Sequence, residues 1–143
     1  MRVSGDGRSL DAVACSAGED LVVLITGGSR PHVGCVVVAR SHPSSARPDR
    51  RSVTSSVLAA PPHREEALAR PLAELLARTR GGTVIIAAGV HDDNLSPEGI
   101  AAYLRLGERL GVGLGVIRRD VTANPLPDRR HAGACEPALV LVL

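Results

Sequence analysis

Aromatic side chains are all but absent from this 143-residue chain, which has no Trp, no Phe and one Tyr, Tyr103. Large rings usually supply much of a core's buried area. Here the core has to be assembled from Val, Leu, Ile and Ala instead. At 44% hydrophobic and 22% charged residues the composition is otherwise that of an ordinary globular chain. Its length fits a single domain, residues 1–143, that buries roughly two-thirds of its unfolded surface. Base-stacking platforms for nucleic acids need interleaved rings, which this chain does not have.

All 17 basic residues are Arg. Schiff-base chemistry and a phosphate loop ending in Lys are therefore excluded. The net charge is +2, and Arg40, Arg47, Arg50 and Arg51 against Asp49 alone account for more than that. Such a balance points to no nucleic-acid partner and no membrane surface. No apolar run approaches the ~20 residues of a membrane span, and Met1 to Arg8 lacks the apolar stretch of an export signal. Cys15, Cys35 and Cys135 are dispersed without a CxxC pair, which reads as reduced thiols in a cytoplasm.

The first half reads as strands. Asp11 to Ser16, Leu21 to Thr26, Val33 to Ala39 and Ser52 to Leu58 are short, β-branched and punctuated by Gly and Pro. They form an antiparallel meander, with Ser41 to Arg51 as a loop. The second half alternates. His63 to Arg80 has helical spacing, with Leu68, Leu72, Leu75 and Leu76 on one stripe and Pro71 expected to kink or split it. Thr83 to Ala88 is a buried-looking strand, and Gly89 to Leu95 a loop. Ser96-Pro97-Glu98 opens a second helix with an N-cap, a proline at the first position and an acid in the first turn. That helix runs to about Leu110, with Ile100, Tyr103, Leu104 and Gly107 facing the core and Gly111 ending it. Val112 to Ile117 is a candidate strand, Asn124 to Gly133 a loop, and Ala138 to Leu143 a last strand. The fold class is α+β: a mostly antiparallel sheet, a meander followed by β-α-β-α-β, with two helices packed on it.

Polar chemistry concentrates at three junctions. Gly27 to Gly34, between two apolar strands, offers approachable backbone N–H groups plus Ser29, Arg30 and His32 for an anion. A plain hairpin turn with solvated polar residues explains it as well. Pro62-His63-Arg64-Glu65-Glu66 opens the first helix, where free N–H groups favour a phosphate reinforced by His63 and Arg64. Glu65 and Glu66 equally cap that dipole without a ligand. Gly89 to Asn94 carries His91, Asp92, Asp93 and Asn94, more chemistry than a turn requires. This set suits metal coordination, cofactor orientation or proton exchange.

Other signals carry less. Gly111, Gly113 and Gly115 follow a helix rather than a strand, which is a poor dinucleotide fingerprint. No nucleophile elbow or HExxH occurs. His32, His63 and His91 match no standard metal spacing, so no metal ligands are assigned. His42 and His131 read as solvated loop residues. The Arg40 to Arg51 stretch reads as a solvated loop, with contact to a phosphate or a client enzyme as the other reading.

In this order the three segments, GGxxPHxG after a strand, a His-basic-Glu helix start, and G-aliphatic-H-x-D-N before a second helix, resemble the LpdD family. This is the small D subunit associated with UbiD-type gallate and phenolic-acid decarboxylase systems, and the resemblance covers roughly Leu21 to Ile100. It implies a chaperone or carrier for prenylated flavin mononucleotide, with a homodimeric fold similar to proteasome assembly chaperones. It also implies binding residues: His32 and Gly34, then His63 and Arg64, then His91, Asp93 and Asn94. Pro62 stands where the family prefers Gly, Arg64 where it prefers Lys, and Asp92 where an apolar residue is expected.

The resulting expectation is a non-catalytic cytoplasmic carrier that binds prenylated or ordinary flavin mononucleotide and delivers it to an apo UbiD-type decarboxylase. Two other readings remain open. One is an enzyme using His32, His63, His91 and Asp93 around a divalent metal or as acid–base groups. The other is an assembly protein that binds no small molecule.

Overall fold

The structure is a computed structural model that describes residues 1–116. The expected loop Asn124 to Gly133 and strand Ala138 to Leu143, with His131 and Cys135, lie outside the described residues. Eight elements follow one another: β1 (Arg2–Gly5), β2 (Arg8–Ala17), β3 (Asp20–Gly28), β4 (Cys35–Pro43), β5 (Arg51–Ala59), α1 (Glu66–Arg80), β6 (Thr83–His91) and α2 (Pro97–Val116). The strands form one six-stranded sheet in the order β1-β2-β3-β6-β4-β5. All neighbours are antiparallel except β3 and β6, which are parallel. The α+β class is therefore as the sequence indicates.

Its topology departs from a simple meander. β3 and β4 do not pair, because β6 inserts between them, with Leu24 opposite Ala87 on one side and Val36 opposite Ala87 on the other. A strand placed centrally is buried best, and Thr83–His91 is among the most apolar segments of the chain. The polar N-terminus, where the sequence suggests no strand, is an edge strand: β1 pairs with β2 from Arg2 opposite Asp11 to Gly5 opposite Arg8. Val33 lies outside β4 and is 53% exposed, whereas Ser41 to Pro43 continue the strand into the expected loop, which shrinks to residues 44–50.

Period-two alternation sends one face of the sheet to the helices. Leu10, Val23, Ile25, Val37, Val84 and Ile86 on that face are fully buried. The helices meet it with Leu68, Leu72, Leu76, Tyr103, Leu106 and Leu110. Two residues of the expected stripes turn out to flank them: Leu75 is 44% and Ile100 49% exposed. Pro71 does not split α1, which is continuous through it. The proline sits on the exposed side, one turn in from the helix start, where it costs the single intrahelical bond that an N–H at that position would make to the Ala67 carbonyl.

The largest departure from the expected elements is in α2, which passes through Gly111 to Val116, so residues 112–116 of the expected strand are helical, and Ile117 lies outside the described residues. These glycines let two helices approach closely. A Cβ on Gly107 would lie 3.1 Å from Leu68 Cγ, and one on Gly111 would lie 2.8 Å from Leu72 Cδ1. The helix start is as expected, with Ser96 Oγ accepting from the Gly99 N–H at 3.2 Å. No helix among the described residues is long and apolar enough to cross a membrane.

Candidate functional site

Parallel pairing of β3 with β6 puts both C-terminal ends at the same edge of the sheet, with Gly28 opposite His91. β4 begins at this edge and β5 ends there, with Cys35 opposite both Ala59 and Ala88. The loops after β3, β5 and β6 consequently meet at one end of the molecule. Crevices beyond the carboxyl ends of parallel strands are common ligand sites.

The loop after β3 is fastened along the end of β6. The His91 carbonyl accepts from the N–H groups of Ser29 at 2.8 Å and Arg30 at 3.2 Å, and the Gly34 N–H donates to Ala88 O at 2.9 Å. The loop crosses β6 so closely that a Cβ on Gly89 would lie 1.6 Å from the His32 carbonyl oxygen. Glycine is therefore required there. His32, at the apex of this crossing, hydrogen-bonds through Nε2 to His63 Nδ1 at 3.0 Å. Its other nitrogen, Nδ1, lies 3.0 Å from the Arg30 carbonyl. A carbonyl only accepts, so Nδ1 carries a proton, which in the neutral ring leaves the lone pair on Nε2. The His32 ring also lies 5.7 Å from that of His91, centroid to centroid.

Arg30, Pro31, His32, His63 and His91 line an open cleft of about 350 Å³. The Arg30 guanidinium is held at its rim by Asp93 and by His91 Nε2, 3.0 Å away. His63 is shared with a second shallow cleft, lined also by Arg64, Glu66, Ala67, Arg70 and Pro71. Of the residues singled out in the sequence, the structure brings together His32, His63 and His91, with Asp93 at the rim. Arg64 faces the neighbouring cleft. Asn94 does not line either cleft; it occupies a left-handed turn position, φ 56°, which Asn tolerates.

Gly34 has a different role from direct contact. A Cβ there would lie 2.6 Å from Glu65 Oε2, so the glycine makes room for the Glu65 carboxylate. Glu65 is the main residue that sequence reasoning misses, since an acid at a helix start reads as a dipole cap. It occupies the N-cap of α1 without any side-chain capping bond and turns beneath the imidazoles, only 8% exposed. Its Oε1 lies 3.7 Å from His32 Nε2 and 3.5 Å from His63 Nδ1, and accepts from the Val90 N–H at 3.3 Å. Oε2 is buried without a hydrogen-bond partner. The i, i+2 spacing of His63 and Glu65 is the one signal of this in the sequence. Next to it, burial pushes the Cys35 thiol pKa up, with the Glu65 and Glu66 charges adding to the effect.

Asp92 explains its own departure from the expected apolar residue. Oδ1 accepts from the Ser29 N–H at 2.8 Å and Oδ2 from the Tyr103 hydroxyl at 2.6 Å. The chain's one aromatic residue thus ties α2 to the site loop. The Tyr103 hydrogen bond and the Ser29 donors hold the Asp92 carboxyl below the usual range. Burial first, then the Asp92 carboxylate, push the Tyr103 phenol up to about 12.

The donor set suits an anionic group such as a phosphate. Arg30 and three imidazoles surround the cleft, and Arg64 lies on its far side across His63. No aromatic face lines either cleft, since Tyr103 is 5% exposed and engaged with Asp92. The tilted His32 and His63 rings, 4.4 Å apart, are the flat surfaces present. No curated protein matches the chain. A family model described as the prenylated flavin chaperone LpdD-like domain matches residues 4–114, which include every site residue above. With more than three-quarters of its length covered by that match, the chain belongs to the family of prenylated flavin chaperone LpdD-like domains.

Proposed function

We propose that this protein is a carrier that holds prenylated flavin mononucleotide as cargo and passes it to an apo-decarboxylase of the UbiD type. The observation that carries this reading is the convergence of His32, His63, His91 and Arg30 on one open cleft in a member of a flavin-chaperone family. In this reading Arg30 and Arg64 take the phosphate, His32, His63 and His91 flank the cargo, and Asp93 at the rim meets hydroxyls of the ribityl chain, while Asn94 shapes the turn that carries Asp93. Gly34 contributes by admitting Glu65 beneath the imidazoles. An open, shallow cleft favours release over tight retention, as a carrier needs. In this reading the role is non-catalytic, since a carrier binds and releases its cargo without making or breaking a bond in it. The reading places the protein in a cytoplasm as a homodimer. The sheet face turned away from the helices supports self-association, with Val13, Val22, Leu24 and Val38 each about 40% exposed and Leu58 77% exposed.

The test is anaerobic retention. The protein is mixed with reduced prenylated flavin mononucleotide or with ordinary flavin mononucleotide, desalted, and its absorption spectrum and native mass are recorded. With no Trp and one Tyr in the chain, retained flavin dominates the near-ultraviolet spectrum. Retention at one flavin per chain or per dimer, lost in the His63→Ala/His91→Ala double variant, is expected. Failure of the folded wild-type protein to retain either flavin would sink the carrier reading.

A further inference from the structure

We infer that His32, His63 and Glu65 form a binding site for one divalent transition-metal ion, independent of whether flavin is the cargo. Three ligand atoms are already gathered: His32 Nε2, His63 Nδ1 and Glu65 Oε1 lie within 4.8 Å of one another. Their separations are 3.0, 3.5 and 3.7 Å. A tetrahedral ion with bonds of about 2.0–2.1 Å holds its ligands about 3.3–3.4 Å apart, within that range. Binding therefore requires side-chain adjustments of a few tenths of an ångström, and it replaces the His32–His63 hydrogen bond, the His63 proton passing from Nδ1 to Nε2 so that Nδ1 can ligate.

Two further observations point to a cation. The Nδ1–H of His32 donates to the Arg30 carbonyl, which leaves Nε2 as a lone-pair donor; metal-bound imidazoles are held by the same kind of outer hydrogen bond. The second is Glu65 itself. Its side chain is 8% exposed, it accepts one N–H, from Val90, and its Oε2 has no partner. A buried carboxylate lacking hydrogen bonds is costly unless a positive charge lies against it. A hydrogen-bonded chain of imidazoles alone does not satisfy Oε2, whereas a metal bound by that carboxylate compensates its charge. Two imidazoles and one carboxylate suit Zn²⁺, Co²⁺ or Fe²⁺ better than Mg²⁺ or Ca²⁺, which prefer all-oxygen shells. Three protein ligands leave at least one coordination position open. His32 and His63, 30% and 26% exposed, also line the cleft, so that position takes water or an anionic oxygen from whatever occupies it.

The site is tested with metal alone. The tag-free, metal-stripped chain is titrated with Co²⁺, following visible d–d absorption, and with Zn²⁺ by calorimetry and thermal melting. Expected are one ion per chain, a raised Tm with Zn²⁺, and roughly 100-fold weaker binding in Glu65→Gln and in His32→Asn. His42→Ala, which alters an exposed histidine bonded to Thr54, retains full binding. A folded wild-type chain that leaves Co²⁺ free overturns the proposal without recourse to any variant. Undiminished binding in Glu65→Gln, or a loss in His42→Ala equal to that in His32→Asn, overturns it as well. Because flavin is absent throughout, this result and that of flavin retention are read separately.

Discussion

Tyr103 donates its hydroxyl to Asp92 at 2.6 Å from a position only 5% exposed. Being the one aromatic residue, it reports on its own surroundings without interference. Its phenolate absorption is expected to appear with a midpoint of about 12. In Asp92→Asn the midpoint falls but stays above the ordinary value of about 10, since burial, the larger cause, remains. A raised phenol pKa stabilises the fold fully below about pH 10 and loses that contribution as pH climbs toward 12. Asp92 acts in the opposite direction. Its lowered pKa contributes stability above about pH 4 that disappears as pH falls through the lowered value. Thermal melts across both limbs, compared with Tyr103→Phe, check the two signs. Gly34 makes a separate prediction. Gly34→Ala places a methyl 2.6 Å from Glu65 Oε2, and the displaced carboxylate should destabilise the fold by about 1–3 kcal/mol. Urea unfolding measures that, and the same variant should bind Co²⁺ weakly.

Among the elements, α2 shows most sharply how packing overrides local preference. Glycine is a poor helix former, and a Gly-x-Gly-x-Gly run after an amphipathic stretch reads as a terminus. Packing reverses that reading. Gly107 and Gly111, one turn apart, present backbone to Leu68 and Leu72 of α1, and the gain from close helix contact offsets the propensity cost. Gly115, by contrast, has nothing within 4 Å of a Cβ position. Gly115→Ala should therefore leave stability unchanged or raise it by up to about 1 kcal/mol. Gly111→Ala should lower it, because the new methyl meets Leu72, itself 4% exposed. Differential scanning calorimetry of the pair separates propensity from packing. The same logic covers Ile100 and Leu75. Helical spacing indicates a stripe, but the centre of the stripe is set by which turn of the partner helix it meets.

At the scale of the molecule, the two ends of the sheet have different characters. The histidine cleft lies where β4 begins, and the arginine-bearing hairpin around residues 44–50 lies where β4 ends, roughly 25 Å away along the strand. Those arginines thus do not reach a ligand in the cleft of their own chain, which confines the phosphate-contact reading of Arg40 to Arg51 to a ligand outside that cleft. The sheet's outer face is the other large-scale feature. If it carries the homodimer proposed above, a Leu24→Glu/Val38→Glu variant should sediment as a monomer while the inner core, with Val23 and Val37 at 0% exposure, keeps the fold intact. Analytical ultracentrifugation with a parallel thermal melt tests this, and an unchanged sedimentation coefficient would move the interface elsewhere.

Local pattern alone marks the strands of Leu21 to Thr26, Ser52 to Leu58 and Thr83 to Ala88, the N-cap at Ser96 and the three junctions that carry polar chemistry. Alternation, β-branching and capping act between near neighbours, so they are legible along the chain. The insertion of β6 between β3 and β4 is not, because strand order depends on which apolar edges meet after α1 folds across the sheet. That one tertiary choice brings Gly28 level with His91 and sets His32 against His63. It also decides the meaning of Glu65. In sequence it is an acid at a helix start, and in the folded chain it is a buried carboxylate under two imidazoles. Long-range contact supplies the low-dielectric surroundings and the partners that turn such a residue from a cap into part of a site.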